Sequence, residues 1–170
     1  MVALEQNTKQ PILHTGCAQP YVAIPVQLTL NEWHKLDILA SELTKWLNCQ
    51  RTPVTGPLFY RYLRVNNIDK SYSLEVGFPI SEPAIGNGYI IAGTIPDGTF
   101  ATLVHCGYPK GIAHTYSLLH NWAAGQGIQF KMHHAGECEH WAGRFEFHLT
   151  EPAGQFNGPD CRTAVALLLA

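Results

Sequence analysis

The segment RFEFHLTEP, residues 144–152, sets Glu146 between Phe145 and Phe147, with His148 two places further on. Residues two apart on a strand share a face, so Glu146 and His148 look one way while both phenylalanines look the other. A carboxylate taken out of water becomes neutral or keeps a donor or cation beside it. Arg144, two residues earlier, can share that face. A satisfied Glu146–Arg144 pair at a strand edge, or a solvated glutamate, is therefore one reading. The other is an anionic anchor in an aromatic cleft, which selects lipophilic cations because ring faces attract positive charge and the carboxylate adds the Coulomb attraction. Tyr60, Tyr62, Tyr116, Trp46, Trp122 and Trp141 are the aromatic candidates. Trp46 and Trp122 fall on amphipathic helices, where they serve equally well as core.

These residues need a frame. Residues 1–19 lack periodicity and read as a flexible lead-in. YVAIPVQLTL (21–30) is β-branched and apolar, with Pro25 favouring an edge position. In 29–48, Trp33, Leu36, Leu39, Ala40, Leu43, Trp46 and Leu47 recur at helical steps, and Thr29 with Glu32 makes a capping box. Strands follow at 57–65 and 71–79, joined by NNIDK. A short strand near 89–95 and a stronger one at 98–107 lead to a second helix at 109–124, with Pro109 in its first turn and Gly125 placed to end it. Two last strands lie near 143–150 and 162–169, with Gly154, Gly158 and Pro159 between them.

The second half repeats the order of the first. Ser41, Leu43 and Trp46 keep the spacing of Ser117, Leu119 and Trp122, and FYRYLR (59–64) lies over FEFHLT (145–150). That overlay puts Tyr60 at the place of Glu146 and Tyr62 at the place of His148. The expected fold is α+β: a duplicated β-α-β-β unit with an antiparallel sheet, two helices and a central groove on a pseudo-two-fold axis. A single domain spans 20–170, with pseudo-repeats at about 20–80 and 98–170. Tyr60 and Glu146 are expected on opposite walls of the groove, since seams between halves are where ligand pockets form.

Composition narrows the alternatives. The chain has 170 residues, 46% of them apolar, enough for a real core. With 11 Lys and Arg against 13 Asp and Glu, the basic footprint of a nucleic-acid binder is missing. The longest apolar run, AVALLLA, is far too short to span a membrane. Five scattered cysteines without a C-x-x-C pair, and no leader-like start, point to a reduced, cytoplasmic setting. HHAGECEH (133–140) gathers metal-capable side chains, but in what reads as one flexible loop, so no metal is expected. Neighbouring His105 and Cys106 on a strand face opposite ways, which argues against a His-activated thiol. No serine-elbow, zinc-helix or phosphate-loop signature occurs, and no cofactor is expected.

GTFATLVHCGYPKGIAHTYSLLHNWAAGQGI (98–128) followed by RFEFHLTEP resembles the GyrI-like, or AraC-type, effector-binding domain. TGPLFYRY (55–62) and LEVGFPI (74–80) extend the likeness over roughly 20–170. The resemblance implies an SHS2-type duplicated fold whose groove binds small molecules, often cationic and aromatic, with Glu146 as the anchor. It implies a stand-alone member, with a small-molecule ligand as partner and no direct contact with nucleic acid or membrane. The ligand-binding set is then Glu146, His148, Tyr60, Tyr62, Tyr116, Trp122 and Trp141. Two other readings follow from relatives of this kind. One is a hydrolase of cyclopropane-type electrophiles, with Glu146 as general base and Tyr60 or Tyr62 as donor. The other is an inhibitory protein that contacts a topoisomerase. His148 replaces the aromatic usual in the family, and Thr163-Ala164-Val165 lacks a second acid often found there, although Glu75 stands at the related place in the first half.

Overall fold

A computed structural model describes residues 10–150 and 159–170. Alternating apolar residues build ten strands and two α-helices: β1 (Ile12–Gly16), β2 (Gln19–Thr29), α1 (Lys35–Gln50), β3 (Phe59–Asn66), β4 (Ser71–Pro79), β5 (Ile91–Ile95), β6 (Gly98–Cys106), α2 (Ile112–Gly125), β7 (Met132–Ala135), β8 (Cys138–Trp141), β9 (Arg144–His148) and β10 (Arg162–Leu168). All pairings are antiparallel, and the main sheet runs β1-β6-β10-β9-β3-β4-β2-β5, with β8 joining β3 and β7 joining β8. The expected α+β class with an antiparallel sheet and two helices is observed.

Both helices pack on one face of the sheet. Leu36 and Ala40 of α1 and Leu119 of α2 join Tyr60, Tyr62, Val76, Leu103, Val165 and Leu167 in a continuous core. Each helix is preceded by a 3-10 turn, Leu30–Glu32 and Pro109–Gly111. The capping box sits on the first of these turns, where the Glu32 carboxylate accepts the Thr29 backbone N–H at 3.0 Å, so the α-helix proper starts later than the periodicity implies. Gly125 is the last residue of α2, and it is Gly127 that takes the left-handed backbone, at φ 67°.

The far face carries a second core of rings. Phe59, Phe145, Phe147, Phe100 and Tyr21 meet edge to face at 5.2 to 6.1 Å, apart from the stacked Phe145–Phe147 pair. Small residues on the intervening strands let rings two strands apart touch. A Cβ added at Gly77 of β4 would lie 2.6 Å from the Phe59 ring and 3.0 Å from the Val22 carbonyl oxygen. Glu75 also points to this face, where it accepts the Tyr21 hydroxyl and lies 3.6 Å from the Arg61 guanidinium. It is thus turned away from the helices and cannot stand in for a second acid on their side.

Three sequence expectations change. Residues 10–19 are not all lead-in, because Ile12–Gly16 pairs with β6 along the outer edge of the sheet; residues 1–9 lie outside the described residues, as do 151–158 with Gly154 and Gly158. Pro25 is not on an outermost strand, yet β5 covers β2 only as far as Ala23, so at Pro25 that side is unpaired and no ladder bond is lost. HHAGECEH is no flexible loop: it spans the β7–β8 hairpin, turned at Gly136 with φ 60°, and stacks His133 on His140. Polar side chains on both faces hide its strand period.

Gly77→Ala is expected to lower stability by about 1–3 kcal/mol through overpacking, measured by urea unfolding. Gly125→Ala, where an added Cβ meets nothing within 4 Å, is expected to be neutral or mildly stabilising.

Candidate functional site

The two helix starts stand over the middle of the sheet, where β3 and β9 pair. Phe59 faces Phe147, Tyr60 faces Glu146, and Arg61 faces Phe145. Tyr60 and Glu146 are therefore neighbours on one floor, not residues on opposite walls. Between the helix starts lies a groove of about 960 Å³. Its floor is Tyr60 and Tyr62 from β3, Tyr72 from β4, Arg144, Glu146 and His148 from β9, and Thr163 from β10. One wall is Leu30, Trp33, His34 and Asp37; the other is Pro109, Lys110, Ile112, Ala113 and Tyr116. Lys70, in the β3–β4 turn, lies at the margin.

Glu146 is only 6% exposed. Its Oε1 accepts the Tyr116 hydroxyl at 2.8 Å, and the nearby Tyr62 hydroxyl also favours the charged form. Burial pushes the carboxyl above its usual range, while these phenols and the Arg144 charge pull it part of the way back. Both phenols titrate well above the tyrosine norm, first because they are buried, so both remain donors. Burial and the nearby Asp37 and Glu146 carboxylates raise Tyr60 in the same way. Asp37, exposed on the α1 wall, is also raised, by local desolvation.

Arg144 does not pair with Glu146. Its Nη1 lies 3.4 Å from Oε2 of Glu139, which also accepts the Trp141 indole N–H at 2.9 Å. Its Nε donates to the Tyr116 hydroxyl oxygen at 3.3 Å. Among the described residues, Glu146 makes no ion pair. The strand register accounts for this arrangement. β3 pairs with β9 up to Arg61, is irregular between Tyr62 and Arg64, and from Arg64 onward pairs with β8. Arg144 thus emerges where β8 gives way to β9, within reach of Glu139 on the hairpin.

Of the residues singled out from sequence, Tyr60, Tyr62, Tyr116, Glu146 and His148 come together in the groove. Trp122 and Trp141 do not line it: Trp122 packs against the helix-side core, and Trp141 stands behind Arg144. Trp46 belongs to a separate core with Leu43 and Leu47. Sequence reasoning missed Trp33, Asp37 and Tyr72 as wall and floor. The helical stripe counted Trp33 as core, and only the 3-10 turn before α1 swings it over Tyr62 and Tyr72, with ring centres 6.4 and 5.3 Å away. His105 ties β6 to the α2 wall through the Thr115 hydroxyl at 2.9 Å and the Tyr108 carbonyl at 3.0 Å. No disulfide joins the five cysteines, and no cluster of three metal-capable side chains occurs among the described residues. No helix among them is long and apolar enough to cross a membrane.

No family model matches this chain, and no curated protein matches it by sequence. Solved structures do. EcmrR in its DNA complex aligns with TM-score 0.76 at 14% identity over 94% of this chain, which spans 57% of the EcmrR chain. The EcmrR C-terminal domain alone gives 0.73 at 15% identity over 95% of this chain and 97% of that one. A hydrolase from Listeria innocua gives 0.62 at 12% identity over 98% and 94%, and SAV2435 bound to tetraphenylphosphonium gives 0.61 at 9% over 95% and 94%. Identities this low establish a shared fold and nothing more.

Burial holds the pKa of His148 down to about 4, from an ordinary 6.5. The native state then binds fewer protons than the unfolded chain between these values, so stability falls as pH drops through that window, by about 3 kcal/mol in full. The raised Glu146 acts with the opposite sign. His148→Gln is expected to lose most of the acid destabilisation between pH 6.5 and 4, read from denaturation midpoints across that range.

Proposed function

We propose that this protein binds small molecules, holding a cationic or aromatic amphiphile in the groove with Glu146 as its anchor. One observation carries the reading: a nearly buried carboxylate, hydrogen-bonded by the Tyr116 phenol and in no ion pair among the described residues, opens onto a large aromatic groove. A carboxylate so placed gains from a positive guest, whose charge offsets the cost of its burial. The volume suits a drug-sized molecule. SAV2435, of the same fold, is bound to tetraphenylphosphonium, which favours this class of guest.

The duplicated SHS2-type topology belongs to the same reading. The strand order is palindromic in kind: β6-β10-β9 mirrors β2-β4-β3, with β1 and β5 as outer additions. With Phe59 equated to Phe145 and Arg61 to Phe147, a two-fold axis through the Tyr60–Glu146 pair exchanges the Phe59–Phe147 and Arg61–Phe145 pairs. The unbridged cysteines accord with a reduced, cytoplasmic setting.

Hydrolysis is the second reading, favoured by the raised carboxyl of Glu146 beside Tyr60 and Tyr62, the acid-base pairing it needs. Its test is a water adduct formed from a strained cyclopropane, detected by mass spectrometry and lost in Glu146→Gln.

For binding, tetraphenylphosphonium at about 100 times its dissociation constant is expected to raise the melting temperature by about 5–10 °C. Glu146→Gln is expected to lose most of that shift. An equal shift in the variant defeats the anchor.

A further inference from the structure

The aromatic seat beside Glu146 already holds a cation. The Arg144 guanidinium lies 4.2 Å from the ring centre of Tyr116, 4.9 Å from that of Tyr62 and 5.4 Å from that of Trp141. Glu139 balances its charge at 3.4 Å, and its Nε donates to the Tyr116 hydroxyl oxygen, which in turn donates to Glu146. Burial opposes the charge, but Tyr116, Tyr62 and Glu146 more than restore it, so the guanidinium stays ionised. The other rings of the floor are engaged too: Trp33 stacks on Tyr62, Tyr72 meets Tyr62 edge-on at 6.2 Å, and Tyr60 meets the His148 ring at 4.3 Å.

Resting on the reading of Glu146 as anchor, we propose that Arg144 is a specificity-determining residue that makes the groove prefer cations bearing N–H donors, such as ammonium or amidinium amphiphiles, over quaternary onium ions. Onium ions are recognised mainly through ring faces. Here such an ion must push Arg144 off Tyr62 and Tyr116, leaving Glu139 unpaired, or forgo those faces. A protonated amine has another route. It donates directly to the Glu146 carboxylate at about 2.7–2.9 Å, a charge-assisted bond that needs no aromatic seat. A trimethylammonium group cannot donate, and its methyl carbons stop at van der Waals contact, about 3.5 Å or more from the oxygen.

The test compares decylammonium with decyltrimethylammonium, alike in charge and chain, by calorimetric titration below their micelle concentrations. Wild type is expected to bind the ammonium at least tenfold tighter. Arg144→Gln is expected to shrink that ratio at least fivefold, through a gain in trimethylammonium affinity. Where Arg144→Gln fails to fold, the Glu139→Gln/Arg144→Gln double variant removes both members of the pair and strands no buried charge. Equal affinities in wild type, a preference for the onium ion, no binding of either probe, or a ratio that Arg144 variants leave unmoved each overturn the proposal. Glu146→Gln separates the two claims. A loss of ammonium binding by tenfold or more keeps the anchor whatever the ratio, whereas undiminished binding in that variant removes the anchor and this proposal with it.

Discussion

A carboxylate held out of water at the middle of the sheet is the constraint around which the helix side is arranged. Glu146 stands where β9 meets β3, and the local cost of its charge is offset first by the Tyr116 hydroxyl and then by the Arg144 charge nearby, without a direct ion pair. Each neighbour follows from that. Tyr116 must come from α2 at the right height, which the 3-10 turn at Pro109–Gly111 and the His105–Thr115 bond help to set. Arg144 must be kept off Glu146, which the β8 strand does by offering Glu139 instead. A salt bridge to Glu146 would have satisfied the acid internally.

The two faces of the sheet divide the labour. On the far side, aromatic rings over Gly77 and Ala166 make an apolar core, and the buried carboxylate of Glu75 there is answered by Tyr21 and Arg61. On the helix side the carboxylate opens onto a groove. The same residue type, at comparable burial, is closed in by a phenol and an arginine in one place and faces a groove in the other.

Much of this could be read from the residues. The alternation in RFEFHLTEP set Glu146 and His148 on the face opposite Phe145 and Phe147, and the helical stripes located α2 closely but began α1 at Thr29, before the 3-10 turn, where the α-helix itself starts at Lys35. What escaped was decided by contacts distant in sequence. Ile12–Gly16 is a strand because β6 offers it an edge, not because its own pattern demands one. The β7–β8 hairpin is polar on both faces and so shows no period. Trp33 and Trp122 both look like core on a helical wheel, but the 3-10 turn before α1 sends Trp33 over the groove, whereas Trp122 on α2 packs against the helix-side core. The fate of Arg144 depends on where β3 changes partner from β9 to β8, which no local pattern announces.

The groove is built from unlike materials. Its base is made of strands locked to one another by backbone bonds, whereas its sides are the opening turns of two helices, each joined to the rest mainly through side-chain packing. Small shifts of those turns alter the width without disturbing the hydrogen-bond ladder beneath. In a receptor of this plan the electrical character of a guest would be judged by the stiff layer and its girth by the yielding one, so tolerance for shape and strictness about charge can coexist in one cleft.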